Sequence, residues 1–270
     1  MKCAINAGAF SDEWDLLRGF RFAKESGFDG VEVNLCEGGP LTPESTQSDA
    51  QQVVAQARSA GIELPCLLPA VLGKHALTSA DRETAEKGLH IAARSLQIAA
   101  WMGLDAILLV PGRVTPEVPY DTAYDRAQGV IRDLLPEAER LKVCMCVENV
   151  WNKFLLSPLE MSRFIDEIGS EYVAAYFDVG NVLVFGYPEQ WIRILGPRIK
   201  QVHVKDFKTS VGNIQGFTNL LEGEVNWPAV RAALDEIGYD GWVTAEVAGY
   251  SIHHELGLKA TADAIRRVFK

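Results

Sequence analysis

The sequence predicts an α/β protein, a closed (β/α)8 barrel of the TIM type that forms a single domain of residues 1–270. Eight short and nearly continuous hydrophobic segments alternate with eight longer segments of helical period, which is typical of a parallel sheet covered by helices. An open, doubly wound sheet shares this alternation, but eight units in 270 residues favour the barrel. No Gly-rich GxGxxG turn follows the first strand, and no linker or change in composition divides the chain.

The predicted elements follow one another in regular order along the chain. Strands are expected at residues 3–10, 30–35, 63–69, 106–112, 143–149, 173–181, 199–206 and 242–247. Helices are expected near residues 12–26, 44–60, 82–103, 122–141, 158–168, 188–195, 227–237 and 255–269. Cap-type residues such as Ser11 and Ser157, the latter followed by Pro158, precede several of these helices. The longest irregular stretches are 69–81 and 207–226, which follow strands three and seven.

Three phrases repeat the junction between a helix and the next strand. They are "ESGFDGVEV", "AWMGLDAILLV" and "EIGYDGWVTAEV". In each, a Gly follows the helix, an apolar residue and an Asp come next, and a strand begins. A Gly at this position accepts the left-handed conformation that ends a helix, so the phrases predict a repeated αβ turn.

Composition excludes several classes of protein. Lys and Arg number 26 against 36 Asp and Glu, a formal charge of −10, which is the wrong sign for neutralising a nucleic-acid backbone. The chain starts with a strand-like pattern, and no apolar segment approaches the ~20 residues that cross a bilayer. The five cysteines form no CxxC pair. We therefore expect a soluble, cytoplasmic protein with reduced thiols that binds neither nucleic acid nor membrane.

Polar side chains close the last four predicted strands. Glu148 ends the fifth strand, Asp178 ends the sixth with Asn181 just beyond, His203 lies near the end of the seventh, and Glu246 ends the eighth. Because the carboxyl ends of barrel strands converge on one face, these side chains are expected to surround one point. Three carboxylates packed so closely would repel one another unless a cation lay among them. Oxygen and nitrogen ligands together suit one divalent ion, namely Mn, Mg, Co or Zn.

Each of these residues also has a simpler interpretation. A single Glu at a strand end is usually solvated, His203 between two valines could be a core histidine, and Asp178 could be a turn former. Their occurrence at the ends of four consecutive strands favours the metal site. Period-two alternation places Lys205 on the same side of its strand as His203. Asp206 either points the other way or begins the loop, and we expect it to form an ion pair with a helix.

The chain resembles the xylose isomerase-like TIM barrel superfamily, within it the sugar and sugar-phosphate isomerase/epimerase group that includes L-ribulose-5-phosphate 3-epimerase and D-tagatose 3-epimerase. The motifs that carry the resemblance run almost end to end: "GFDGVEV", "LTSADRETAEKGL", "AAWMGLDAILLVPG", "CVENV", "FDVGNV", "IKQVHVKD" and "LLEGEVNWPAVRAALDEIGYDGWVTAEV". The resemblance implies an enzyme of carbohydrate metabolism that acts on a small sugar or sugar phosphate. It also allows a homodimer or homotetramer.

The resemblance further implies roles for individual residues. One divalent ion would be bound by Glu148, Asp178, His203 and Glu246, and the two glutamates would also act as the catalytic acid/base pair. Substrate contacts would come from a second set, which is Asn6, Glu32, His75, Asn181 and Lys205. Asn181 marks a departure, because many relatives have a His there; an amide can bind a hydroxyl but cannot donate a proton near neutral pH.

These residues support a divalent-metal-dependent isomerase or epimerase that removes a proton next to a carbonyl through a metal-stabilised enediolate. Return of the proton to the same carbon would make the protein a ketose 3-epimerase, and return to the neighbouring carbon an aldose–ketose isomerase. The main alternative is a lyase or dehydratase that acts on an inosose or a 3-keto sugar with the same apparatus. A DNA-repair nuclease is disfavoured by the five histidines and the acidity, and a barrel that binds sugar without catalysis is disfavoured by the complete ligand set.

Overall fold

The computed structural model describes residues 1–270 and contains a closed barrel of eight strands with eight α-helices, as the alternation predicts. The barrel strands are β1 (Lys2–Asn6), β2 (Gly30–Asn34), β3 (Leu67–Leu68), β4 (Ala106–Leu109), β5 (Cys144–Glu148), β6 (Val173–Asp178), β7 (Ile199–Val204) and β8 (Trp242–Ala245). They follow the order β1-β8-β7-β6-β5-β4-β3-β2, so each strand pairs with its neighbours in sequence.

The helices lie within a few residues of the predicted segments. They are α1 (Leu16–Ser26), α2 (Gln47–Ser59), α3 (Arg82–Met102), α4 (Tyr120–Leu141), α5 (Pro158–Ile168), α6 (Pro188–Leu195), α7 (Trp227–Glu236) and α8 (His254–Phe269). The first helix starts later than predicted, because the side chain of Asp15 accepts a hydrogen bond from the Arg18 N–H and thereby caps it. None of these helices is both long and apolar enough to span a bilayer.

Several strands are shorter than predicted, and two of them end where a polar side chain starts a turn. The Asn6 side chain accepts from the Gly8 N–H at 2.7 Å, and residues Ala7–Ala9 form a 3-10 turn instead of continuing β1. Likewise, Asp178 accepts from the Asn181 N–H at 2.8 Å and β6 stops there. The sequence pattern overestimates the length of these strands because a hydrogen bond from the local backbone to a side chain competes with the hydrogen bonds of the sheet.

The three repeated phrases form the predicted αβ turns. Gly27, Gly103 and Gly238 have φ values of 103°, 73° and 71°, in the left-handed region. After each Gly, the N–H of the apolar residue bonds to the carbonyl five residues back, at 3.1, 2.9 and 2.9 Å. This is the Schellman geometry, and it satisfies carbonyls that the end of a helix otherwise leaves unpaired.

Contacts within the chain define two compact units. The first unit consists of Met1–Val33, Val53–Pro65 and Phe177–Lys270, and it includes β1, β7 and β8. The second unit consists of Asn34–Gln52 and Cys66–Tyr176 and includes β3, β4 and β5. Its buried core contains Cys66, Cys144, Cys146 and Tyr176. All five cysteines of the chain are free thiols.

The long segment after β7 is more ordered than the sequence predicts. Its residues Asp206–Phe207 and Phe217–Thr218 pair as a two-stranded antiparallel ribbon. We refer to residues 206–227, which contain this ribbon, as the β7–α7 loop.

Candidate metal centre

The four predicted ligands converge at the carboxyl ends of β5 to β8. One ligand atom from each of Glu148, Asp178, His203 and Glu246 lies within 4.8 Å of the other three. We call these residues the ligand cluster. Asp178 and His203 are fully buried, Glu148 is 5% exposed, and Glu246 is 33% exposed. Glu246 is therefore the most accessible member of the cluster.

Pairing between neighbouring strands explains why these side chains meet. The Val179 N–H donates to the His203 carbonyl at 3.0 Å, and the Glu246 N–H donates to the Val204 carbonyl at 3.1 Å. These bonds tie the ends of β6 and β8 to β7. Because parallel strands in a barrel end at the same face, a ligand at the end of each strand reaches the same point.

The ligand cluster fits a divalent cation. Carboxylate and imidazole ligands lie about 2.0–2.2 Å from such ions, so ligands on opposite sides of an ion are roughly 4 Å apart. The largest separation, 4.8 Å, is slightly greater than this, and a small movement of the side chains would bring all four ligand atoms to one ion. Burial raises the pKa of the Asp178 carboxyl, and the neighbouring charge of Glu246 raises it further. Lys205 and His203 act to lower this pKa but do not outweigh burial. A cation among the carboxylates would oppose the effects of burial and of Glu246.

Lys205 supplies a positive charge at the edge of the ligand cluster. Its Nζ lies 3.0 Å from Asp178 Oδ2 and donates a hydrogen bond to Glu246 Oε2. Burial acts to raise the pKa of Glu246, but the charges of Lys205 and His203 outweigh it, and the pKa of this carboxyl lies below its usual value. A Cβ on Gly180 would lie 2.6 Å from Lys205 Cγ, so the Gly leaves the space in which Lys205 runs toward the carboxylates.

One predicted substrate contact, Glu32, lies against His203, and a second, Asn6, binds Glu32. Glu32 Oε2 is 2.9 Å from His203 Nε2 and accepts a hydrogen bond from Asn6 Nδ2 at 2.6 Å. Glu32 is fully buried and Asn6 is 5% exposed. Both residues are thus buried beside a candidate metal ligand.

The other predicted substrate contacts occupy different positions. Lys205 touches the ligand cluster, as described above. Asn181 is 5% exposed and lies in the 3-10 turn Gly180–Val182 that follows Asp178. His75 is not a member of the ligand cluster; it follows the 3-10 turn Ala70–Lys74 after β3.

Asp206 has a role that the sequence did not indicate. The expected ion pair with a helix is wrong, because no cationic group pairs with this carboxylate. Instead, the fully buried Asp206 accepts four hydrogen bonds from the β7–α7 loop. The donors are the backbone N–H groups of Phe207, Leu221 and Val225 and the indole N–H of Trp227, at 2.9, 3.1, 3.0 and 2.9 Å. Aspartate often accepts bonds from its local backbone, but the distant donors at 221–227 could not be assigned from spacing alone.

A small cavity adjoins the ligand cluster, and the β7–α7 loop forms part of its wall. Its volume is about 210 Å³, and its lining includes Lys205, Phe217, Asn219 and Glu246. The Phe217 ring centre lies 5.0 Å from Lys205 Nζ, within the range of a cation–π contact. The cavity thus combines a carboxylate, an ammonium group, an amide and an apolar ring, a combination that suits a small polyhydroxylated molecule.

The fold and the ligand cluster together define a (β/α)8 barrel protein with a candidate metal centre at the carboxyl ends of its strands. The xylose isomerase-like TIM barrel family matches residues 20–268. The chain therefore belongs to this family.

The chain is also similar to individual proteins that are named as epimerases of ribulose or its phosphate, or as an inosose dehydratase. The proposed L-ribulose-5-phosphate 3-epimerase SgbU of Escherichia coli (strain K12) is 24% identical over 225 residues, which are 81% of this chain and 79% of that protein. An inosose dehydratase of Geobacillus thermodenitrificans (strain NG80-2) is 29% identical over 104 residues, only 32% of this chain and 34% of that protein. The structure of an L-ribulose 3-epimerase superposes with a TM-score of 0.83 at 16% identity, over 99% of this chain and 94% of the other.

Proposed function

We propose that the protein is a divalent-metal-dependent ketose 3-epimerase. The observation that carries the proposal is the convergence of Glu148 and Glu246 with Asp178 and His203 at the carboxyl ends of β5 to β8. The relative matched over most of its length is named as a 3-epimerase of a ketose phosphate, which agrees with this chemistry. A free ketose or a ketose phosphate is the substrate class.

The ligand cluster would hold the ion through its three carboxylates and His203. When bound, the ion would act as a Lewis acid on oxygens of the substrate and favour loss of a proton from the carbon next to the carbonyl. The charges of the ligands suit this role, since three carboxylates and one ammonium group, that of Lys205, leave an excess of negative charge for a dication to neutralise.

The two glutamates would move the protons. Glu148 ends β5 and Glu246 follows β8, and β6 and β7 lie between these strands in the sheet. Carboxylates that approach from different strands can address opposite faces of one carbon. One carboxylate removes the proton from one face and the other supplies a proton to the opposite face, which inverts the carbon.

Lys205, Asn181 and His75 would contact the substrate. Lys205 and Glu246 both line the cavity beside the ligand cluster, so the ammonium group can bind a substrate oxygen near the proton-transfer site. The Asn181 amide would bind a hydroxyl without donating a proton to the reaction. His75, in the loop after β3, would bind a part of the substrate farther from the reacting carbon.

The test is proton exchange in deuterated water. Purified protein loaded with Mn²⁺ is incubated with a panel of ketoses and ketose phosphates, and the products are examined by NMR and mass spectrometry. Deuterium at carbon 3 with inversion is the expected result. Deuterium at carbon 1 would indicate an aldose–ketose isomerase, a product lighter by one water would indicate a dehydratase, and no exchange with any ketose would reject the proposal.

Single variants test the two-carboxylate arrangement. At saturating Mn²⁺, E148Q should exchange the carbon 3 proton of only one of the two epimers, without inverting it. E246Q should show the same behaviour with the other epimer. Glu63→Gln is the matched control, because Glu63 is an exposed carboxylate that pairs with Lys2. Exchange of both epimers by either variant would exclude this division of roles.

A further inference from the structure

Glu32 is an unusual residue for the middle of a barrel strand. It belongs to β2 and is completely buried. It contacts the His203 imidazole at Nε2, the ring nitrogen that faces away from the other members of the ligand cluster. A buried carboxylate is costly unless charged or polar partners compensate for lost water. Here the compensation comes in part from His203 and from the Asn6 amide.

The two nitrogens of His203 face different neighbours. Nε2 lies 2.9 Å from Glu32 Oε2, whereas Nδ1 lies 3.9 Å from Asp178 Oδ2 and 3.8 Å from Glu246 Oε2. A carboxylate accepts hydrogen bonds and does not donate them, so Glu32 favours the tautomer with the proton on Nε2. That tautomer leaves the Nδ1 lone pair directed toward the ligand carboxylates.

We infer that Glu32 is a positioning residue that holds the His203 ring in the orientation and tautomer in which Nδ1 binds the metal. This inference rests on the metal centre of the proposed function and replaces a direct contact between Glu32 and the substrate. Carboxylates that bind the second nitrogen of a metal-ligating histidine strengthen the ligand and fix its ring.

Asn6 extends the same arrangement to β1. Its Oδ1 accepts from the Gly8 N–H at 2.7 Å, and its Nδ2 donates to Glu32 at 2.6 Å. Asn6 and Glu32 are also paired in the register of β1 with β2. Because both ends of the amide are engaged, its orientation is fixed, and it holds Glu32 against His203.

Burial argues against a direct role for Glu32 in substrate binding. Neither Glu32 nor His203 has any exposed surface. Glu32 is also absent from the lining of the cavity beside the ligand cluster. A substrate in that cavity would meet Lys205 and Glu246 first. The effect of Glu32 on the reaction would therefore pass through His203.

The first experiment measures the tautomer of His203 in the wild-type protein without metal or substrate, at a pH high enough for the imidazole to be neutral. Two-bond ¹H–¹⁵N NMR spectra, assigned with a His203→Gln variant, report which ring nitrogen carries the proton. We expect the proton on Nε2. A proton on Nδ1 in the neutral ring would overturn the inference, and no variant of Glu32 needs to fold for this outcome.

The second experiment measures Mn²⁺ affinity by calorimetry in the absence of substrate. E32Q should raise the Kd about tenfold, because the amide oxygen still accepts the N–H but lacks the charge, and E32A should raise it by up to about 100-fold. The Glu63→Gln control should bind like the wild type. An unchanged Kd in both variants of Glu32, or an increased KM for the substrate with an unchanged metal Kd, would overturn the inference.

These readouts separate the inference from the proposed function. If the wild type binds Mn²⁺ but no ketose exchanges a proton, the epimerase proposal fails while the comparison of metal affinities still decides the role of Glu32. If exchange occurs and the affinities of the Glu32 variants do not change, the positioning role alone fails.

Discussion

Substitution of Asp206 by Asn should destabilise the protein, although the two side chains have nearly the same shape. Each carboxylate oxygen of Asp206 accepts two hydrogen bonds: Oδ1 from the N–H groups of Phe207 and Val225, and Oδ2 from the Leu221 N–H and the Trp227 indole. Asparagine has one acceptor oxygen and one NH2 group. Whichever way the amide is turned, its NH2 group faces two donors, at least one of them fully buried and the other at least partly buried.

The cost follows from the two hydrogen bonds that are lost. A buried donor left without a partner costs about 1–3 kcal/mol, so two of them give about 2–6 kcal/mol. This is a large part of the 5–15 kcal/mol by which folded proteins are typically stable. The surroundings leave little space in which the Asn side chain could move to other partners. A Cβ on the neighbouring Gly223 would lie only 2.2 Å from Asp206 Oδ1.

Equilibrium unfolding in urea, compared with the wild type, measures this cost. Limited trypsin digestion at Lys208, inside the β7–α7 loop, reports whether the loss is local. Glu222→Gln is the matched control, since it removes one carboxylate charge from an exposed residue of the same loop. If D206N unfolds within about 0.5 kcal/mol of the wild type and resists trypsin equally, the four hydrogen bonds do not hold the loop as described.

Three further predictions concern the ligand cluster and the acid stability of the barrel. Glu246→Gln should keep much of its Mn²⁺ affinity and lose turnover by several orders of magnitude, and near-normal activity would remove Glu246 from proton transfer. Lys205→Met should bind Mn²⁺ about tenfold more tightly, because a repelling charge is gone, and weaker binding in calorimetry would contradict this. Burial acts to raise the pKa of Asp29, but hydrogen bonds from Lys270 and the Cys3 backbone lower it below its usual value. That stabilisation is present above about pH 4 and is lost as the pH falls through the folded-state pKa. The difference in unfolding free energy between wild type and D29N should therefore shrink on acidification, and a constant difference would contradict it.

The sequence was most informative where local chemistry decides the structure. The glycines of the three αβ turns were predictable because one residue type accepts the left-handed conformation that the turn requires. The convergence of the four candidate ligands at the ends of β5 to β8 was predictable because polar residues close apolar runs and parallel strands end at one face. The ends of β1 and β6 were less predictable, since the Asn6 and Asp178 side chains compete with the sheet for backbone N–H groups.

Contacts between distant residues required the structure. The sequence placed Glu32 in a strand, but its contact with His203, 171 residues away, depends on which strands the closed barrel brings together. It likewise could not show that Asp206 accepts bonds from residues up to 21 positions later.

The sequence by itself determined the barrel and the identity of its four candidate ligands, because strand periodicity and residue type act over short distances. Only the tertiary structure decided which nitrogen of His203 faces the ligand carboxylates and which carboxylate lies behind it. These features depend on the stagger and closure of strands far apart in the chain. No local pattern specifies that arrangement.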